Sequence, residues 1–416
     1  MLNNRCYGYG NPMRICFISH SAYMGGAERA LLEAIRSLMK RGITCLVILP
    51  YEGPLCEELA RLKVTYRVVK YRPWVYKKHV SWWKRLNDFL ISLVMVIPAA
   101  KTIVRWESTI VYTNTITIFT GALAAMLTRR PHIWHIHEFG YQDHGLEFLF
   151  GKKLSLGLMD RLSVLCIAAS KALADAYRGT ISPSKLKVIY QSVSMSSSSI
   201  SIKPTSAFKC VIVGKISEGK NQEDAVNAVA ILSKKGILVN LSIIGDGFED
   251  YIARLDEIIQ KNNIQNEVKF AGYSNDAFGY MCNADVILMC SRSEGFGRVT
   301  VEGMLASKPV IGARGGATRE LIQDGITGLL YTPGNYRELA RKIEYLRRHS
   351  ATAELLGKNA REWALNEFSE ERYGADLIQL LITVSKSRIR PGKSQLKQTQ
   401  MDKSDSVIKR VDVSEQ

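Results

Sequence analysis

Short runs of β-branched and other apolar residues alternate with amphipathic helical patterns along almost the whole chain, and this alternation narrows the fold further than any other feature. Residues 14–19 form such a run. A Gly-Gly turn at Gly25 and Gly26 follows, then a helical pattern over 28–40 that Gly42 closes. Further strand-like runs lie at 45–49, 64–69, 110–113, 133–136 and 166–168. A serine-rich stretch at 193–206 interrupts the pattern, which resumes with strands expected at 210–213, 239–244, 268–270, 286–289 and 309–312. Strands alternating with helices predict parallel sheets covered on both faces. At 416 residues the chain exceeds the roughly 250–300 that one core accommodates, so each block is expected to be its own doubly wound α/β domain. The expected divisions are 13–200, 206–366, a terminal helix at 367–385, and a polar tail at 386–416 too poor in apolar residues to fold.

A formal charge of +17 draws anions without choosing among phosphorylated ligands, acidic lipid and nucleic acid. The eight cysteines are scattered, with no C-x-x-C pair, and are expected to be reduced core residues of a cytosolic protein. Residues 1–13 are polar and carry no apolar stretch of the kind a secretory signal needs. The longest apolar run, 89–100, is shorter than the roughly 20 residues of a spanning helix and contains Pro98, so no transmembrane segment is expected. Around it, residues 61–105 interleave eleven Lys and Arg with Trp74, Trp82 and Trp83 against the single acid Asp88. That mixture suits contact with an anionic membrane surface, and equally a solvated face over a core helix.

In open parallel sheets ligands bind beyond the carboxyl ends of strands, so the loops there carry the chemistry. Ser291-Arg292-Ser293-Glu294-Gly295-Phe296-Gly297-Arg298 leads from a strand into a helix bearing Glu302. Its glycines admit close approach, free N–H groups at the helix start favour phosphate, and the two carboxylates can each accept hydrogen bonds from a sugar or ribose diol. Gly315-Gly316-Ala317-Thr318-Arg319-Glu320 follows the next strand and is expected to be a second glycine-cushioned helix start, so that the two together suit a diphosphate. Lys215 and Lys220 place two ammonium groups after the first strand of the second block, where they can neutralise a leaving diphosphate. Gly25-Gly26-Ala27-Glu28 opens the first helix without the G-x-G-x-x-G spacing of a dinucleotide fold. His132, His135 and His137 alternate with apolar residues and are expected on one strand face, where zinc is a rival to a polar cleft role.

Taken together, Gly25-Gly26-Ala27-Glu28, His137-Glu138, Lys215 with Lys220, the E-x7-E pair Glu294 and Glu302, and Gly315-Gly316-x-x-x-Glu320 resemble the retaining glycosyltransferases of family 4, from about residue 14 to 368. The resemblance implies a GT-B fold, two Rossmann-like domains facing a cleft, with the C-terminal helix returning to the N-terminal lobe. It implies that Glu294 holds hydroxyls of the donor sugar and Glu302 the ribose, and that Lys215 and Lys220 clamp the diphosphate with backbone N–H groups of Gly25, Gly26, Gly297, Arg298 and Val299. His137 would face the donor sugar, and the base would lie near Gly272. Catalytic roles thus fall on His137 and Glu294. Two departures stand out: a lysine, Lys215, where the family usually has arginine, and Gln191-Ser192 in place of an Asn-Gly pair, a hinge change bearing on domain closure more than on chemistry.

The implied activity is metal-independent transfer from a nucleotide-sugar to a glycan or lipid-linked acceptor, in bacterial cell-surface polysaccharide synthesis, in the cytoplasm or on the inner face of its membrane. No cofactor is expected, and no nucleic acid. The absence of any Asp-x-Asp triplet agrees with metal independence. A non-catalytic scaffold of the same fold is the alternative; an epimerase or a glycan phosphorylase is the nearest rival enzyme.

Overall fold

The computed structural model describes residues 12–141, 145–194 and 207–387. The serine-rich stretch from 195 to 206 and the tail from 388 lie outside the described residues.

The first lobe carries β1 (Arg14–Ser19), β2 (Thr44–Leu49), β3 (Thr65–Val68), β4 (Val75–Lys77), β5 (Ile110–Asn114), β6 (His132–Ile136), β7 (Leu146–Phe148), β8 (Leu165–Ala168) and β9 (Leu186–Val188). Seven of them form a parallel sheet in the order β3-β2-β1-β5-β6-β8-β9, with Ile15 opposite both Cys45 and Ile110. The second lobe orders β12 (Val268–Gly272), β11 (Val239–Ile244), β10 (Phe208–Val213), β13 (Val286–Met289), β14 (Val310–Ala313) and β15 (Leu329–Tyr331) in a second parallel sheet. Helices cover both faces, so the central strands are apolar throughout: Ile15, Cys16, Phe17 and Ile18 are all fully buried. Two Rossmann-like sheets facing one another make this a GT-B fold, as the resemblance implies.

The terminal helix Glu370–Ser387 does return to the first lobe. It lays Tyr373, Leu377 and Leu381 into the core that holds Leu31, Ile35 and Leu38 of the helix Gly26–Met39. Lys40 pairs with Glu370 at 2.8 Å and Arg41 donates to the Glu371 carbonyl. Burial of each leucine stabilises this contact by roughly 1.5–3 kcal/mol.

Three features differ from the sequence expectation. β9 and β15 are three residues each, too short to show a period. β4 and β7 pair antiparallel across some seventy residues of chain, a register that no local pattern encodes. The helix Trp82–Arg105 runs through Pro98 and reaches 24 residues, long and apolar enough by composition to cross a membrane, with a third of its apolar window buried. Proline removes a single N–H from the ladder, and the carbonyl it leaves unbonded is that of the solvent-exposed Val94, so the helix continues.

Candidate functional site

In each sheet the strand order reverses once, between β1 and β5 and between β10 and β13, and a crevice opens beyond the strand ends at such a point. In the second lobe, Lys220 follows β10 and Glu294 follows β13, and they meet across the reversal with Nζ to Oε1 at 2.5 Å. Glu294 is almost wholly buried, whereas Glu302, one turn into the helix Arg298–Leu305, is half-buried. Gly297 begins that helix at φ +89°, a conformation open to glycine, and Arg298 and Val299 stand in its first turn, where backbone N–H groups have no intrahelical partner. Lys215 does not join Lys220: its ammonium lies over the Phe248 ring, 4.2 Å from the centroid, and Lys77 of β4 reaches the same ring at 4.8 Å. Gly272 ends β12 at φ +69° and its carbonyl accepts from Gly245, where a Cβ would strike the Gly214 carbonyl.

In the first lobe, Gly25 caps the helix Gly26–Met39 and donates its N–H to Glu28 Oε2 at 3.2 Å. Glu28 Oε1 lies 3.0 Å from His20 Nδ1. Burial alone would lower the His20 pKa, but the Glu28 carboxylate outweighs it and holds it above its usual value. A Cβ placed at Gly26 would stand 3.8 Å from the Arg298 side chain, so the turn after β1 faces the helix start of the other lobe. The Arg298 guanidinium itself grips Glu33 of the first helix with two hydrogen bonds, at 2.8 and 2.9 Å, and donates to the Ser192 carbonyl.

Only part of the histidine expectation survives. His135 and His137 share a face, with ring centroids 3.9 Å apart. His132 stands an odd number of residues from both and points to the opposite face, where Thr113 and Ser163 hold its two nitrogens. Burial pushes His132 and His135 down to about 3. Among the described residues no three His, Cys, Asp or Glu side chains are grouped as a metal ion would require. His137 bonds Asn114 at the end of β5 through Nε2, 2.7 Å, and Gln191 through Nδ1, 2.6 Å. Burial holds it well below its usual pKa, reinforced by His135, His20 and Arg298. Gln191 therefore reaches the candidate site, and its effect is not confined to the hinge.

The second glycine loop also differs from expectation. A Cβ at Gly315 would strike the Arg292 carbonyl, and one at Gly316 the backbone of Glu294. These glycines let two loops of the same lobe pack together, and the helix after them, Thr318–Leu321, is a single turn. Glu320 crosses to the first lobe, accepting from the backbone N–H groups of Lys171 and Ala172 and from the Tyr190 hydroxyl.

Residues 24–196 match the family described as Glycosyltransferase Family 4, and residues 197–363 match Glycosyl transferases group 1. The chain belongs to glycosyltransferase family 4. Among solved structures, the Anabaena protein HepE with UDP bound is similar to this family 4 chain at a TM-score of 0.75 and 26% identity, over 89% of this chain and 100% of its own. The same protein has been solved with UDP-glucose. An uncharacterized glycosyltransferase of Methanocaldococcus jannaschii is 35% identical over 140 residues, 33% of this chain and 39% of that protein, so the match spans about two fifths of the relative. The capsular polysaccharide biosynthesis glycosyltransferase CapM of Staphylococcus aureus is 24% identical over 60% of this chain and 70% of its own length.

As members of the site, Asn114, Gln191, Glu33 and Phe248 escaped the sequence reading of this family 4 chain, which places Gln191 in the hinge alone. The first three are polar residues inside buried segments, and each had a signal: a polar end to an apolar strand, a departure from the family pair, an acid on the inner face of an amphipathic helix. Phe248 had none, since a lone exposed aromatic is common on protein surfaces.

Proposed function

We propose that the chain transfers a sugar from a nucleoside-diphosphate sugar to a hydroxyl of a growing glycan or lipid-linked acceptor, with retention at the anomeric carbon and without a metal ion. One observation carries the reading: the glycine-started helix at Arg298 faces the Gly25–Gly26 turn of the opposite lobe, and the loop that leads into it carries the buried Glu294, paired with Lys220. Such a cleft supplies cationic and N–H groups on both sides of a diphosphate and a buried carboxylate beside it.

In this reading the diphosphate displaces Glu294 from Lys220 and Glu28 from the Gly25 N–H and draws Lys215 off Phe248, while backbone N–H groups of Gly25, Gly26, Gly297, Arg298 and Val299 take its remaining oxygens. Freed from Lys220, Glu294 accepts from sugar hydroxyls; Glu302 takes the ribose, and the base lies by Gly272. Lys215 acts as a point charge and offers no bidentate fork. The acceptor oxygen attacks the anomeric carbon on the face from which the diphosphate departs. The bond from that carbon to phosphate breaks with its electron pair going to the diphosphate, and a phosphate oxygen takes the acceptor's proton. No enzyme nucleophile is needed. The UDP and UDP-glucose bound by HepE support a uridine nucleotide as the first donor to try.

A lipid-linked acceptor is supported by the outer face of the helix Trp82–Arg105. Trp83, Leu90, Ile97 and Val104 recur every seventh residue and all stand more than half exposed, with Lys101 and Arg105 exposed beside the last two. An apolar stripe ending in basic residues complements an anionic lipid surface. We assign the chain to that surface on the cytoplasmic side, and, from the likeness to CapM, to the assembly of a bacterial surface polysaccharide.

Thermal shift and calorimetry against UDP-, GDP-, ADP- and dTDP-sugars, with and without EDTA, test the donor and the metal. Stabilisation by one nucleotide class, unchanged by EDTA, is expected, and NMR of the product should show the donor's anomeric configuration. Loss of binding in EDTA would overturn metal independence, and an inverted product would overturn retention.

A further inference from the structure

We propose that Gln191, with Asn114, is a positioning residue that locks His137 as the neutral Nε2–H tautomer, so that His137 stands in the site as a fixed, uncharged ring and never as a proton acceptor for the transfer. This rests on the transferase reading above and deepens it.

Geometry at the ring settles which nitrogen carries hydrogen. Asn114 sends its Nδ2 to the Ala27 carbonyl at 3.0 Å, which turns its Oδ1 toward His137 Nε2 at 2.7 Å. A carbonyl oxygen only accepts, so Nε2 carries the proton. Gln191 presents its Nε2 amide to His137 Nδ1 at 2.6 Å, and an amide nitrogen only donates, so Nδ1 carries none. Asn114 is fixed by the Ala27 bond, and the Gln191 backbone is held beside it. Ala27 lies in the first turn after Gly25, and Gln191 is 2% exposed, with the carbonyl of the next residue, Ser192, held by Arg298.

The charged and titratable groups around the ring act in the same direction. The His135 ring lies tilted against it, and His135, His20 and Arg298 all disfavour a further positive charge there. The nearby carboxylates are committed elsewhere: Glu28 to His20, Glu33 to Arg298, and Glu138 to the backbone N–H groups of Ile116 and His137. A ring with no free basic nitrogen cannot remove the acceptor's proton, which agrees with that proton passing to the departing diphosphate. Gln191 thus reaches His137 from the end of the first lobe, across fifty-four residues of chain.

The test is Gln191→Glu, which keeps the shape and replaces a donor by a carboxylate that favours the imidazolium, alongside Gln191→Met, which removes the bond without adding charge. Nitrogen NMR of the histidine-labelled protein is read first, with no substrate. The wild-type ring should show the Nε2–H tautomer and no titration between about pH 6 and 8, and Gln191→Glu should make it titrate in that window. With the donor named by the nucleotide screen, Gln191→Glu should lose about tenfold or more in kcat/KM at pH 6.5 and recover as pH rises through the new pKa. Gln191→Met should lose several-fold with no new pH limb, and both should bind UDP within about threefold of wild type. An Nδ1–H tautomer, a wild-type ring that titrates near 6.5, or a Gln191→Glu pH profile equal to wild type would overturn the proposal. If no donor supports turnover, the transferase reading fails and the catalytic consequence with it, while the tautomer is still decided by the NMR spectrum.

Discussion

At the scale of single residues, the Lys220–Glu294 pair makes the sharpest division of labour. In the proposed reading Lys220 meets the diphosphate charge and Glu294 the sugar hydroxyls, so their loss should separate in binding and turnover. Glu294→Gln is expected to lower kcat by about 10² while UDP affinity stays within about threefold. Lys220→Ala should weaken UDP at least tenfold, because a charge-assisted contact to phosphate is lost. Calorimetry and initial rates measure both, and a Glu294→Gln enzyme of undiminished kcat would remove this residue from the site. Sequence could single out Glu294, Lys220, Gly25 and Gly297 because each sits in a contiguous loop beyond a strand end. It could not place Gln191 against His137, since a contact across fifty-four residues leaves no spacing to read. Alternation mis-sorted His132 because residues three apart take opposite faces of a strand, and the apolar neighbours concealed the parity.

At the scale of elements, the buried strands were legible because both faces of a parallel sheet demand apolar residues, whereas β9 and β15 and the β4–β7 pair were not, for want of length or locality. The segment 61–105 shows a different limit: composition marked it as basic and aromatic, but only packing sorts its residues. Trp74, read as part of the interfacial set, is buried, stacks with Trp134 and donates to the Ile116 carbonyl. Arg85 is spent on the Val80, Lys77 and Lys78 carbonyls and on Glu147, and Lys77 points to Phe248. Charge reversal at these positions would damage the fold or the cleft mouth. The outward stripe is the clean target: Trp83→Ser with Lys101→Glu and Arg105→Glu should reduce cosedimentation with vesicles containing phosphatidylglycerol by about tenfold, with the thermal midpoint within a few degrees. Unchanged cosedimentation would count against a lipid-facing role for this helix.

At the scale of the whole molecule, the lobes are fastened close to the candidate site. Phe296 of the second lobe packs against Tyr190 and Phe368, Glu320 caps the helix Lys171–Tyr177, and Arg298 holds Glu33. The last contact is the most informative, because Arg298 is both the fastener and the first residue of the helix proposed to receive the diphosphate. Both partners are nearly buried, 13% and 5% exposed at the side chain, so removal of one leaves an uncompensated charge away from water. Arg298→Met should cost about 3–5 kcal/mol in urea unfolding, and Glu33→Leu with Arg298→Met should recover most of that loss, since an apolar pair can replace a buried ion pair at little cost. The double variant should nevertheless bind UDP more weakly than wild type, because the helix start is no longer held opposite Gly25 and Gly26. If it binds UDP as wild type does, the fastener serves stability alone, and the cleft must be aligned by the Phe296 and Glu320 contacts instead.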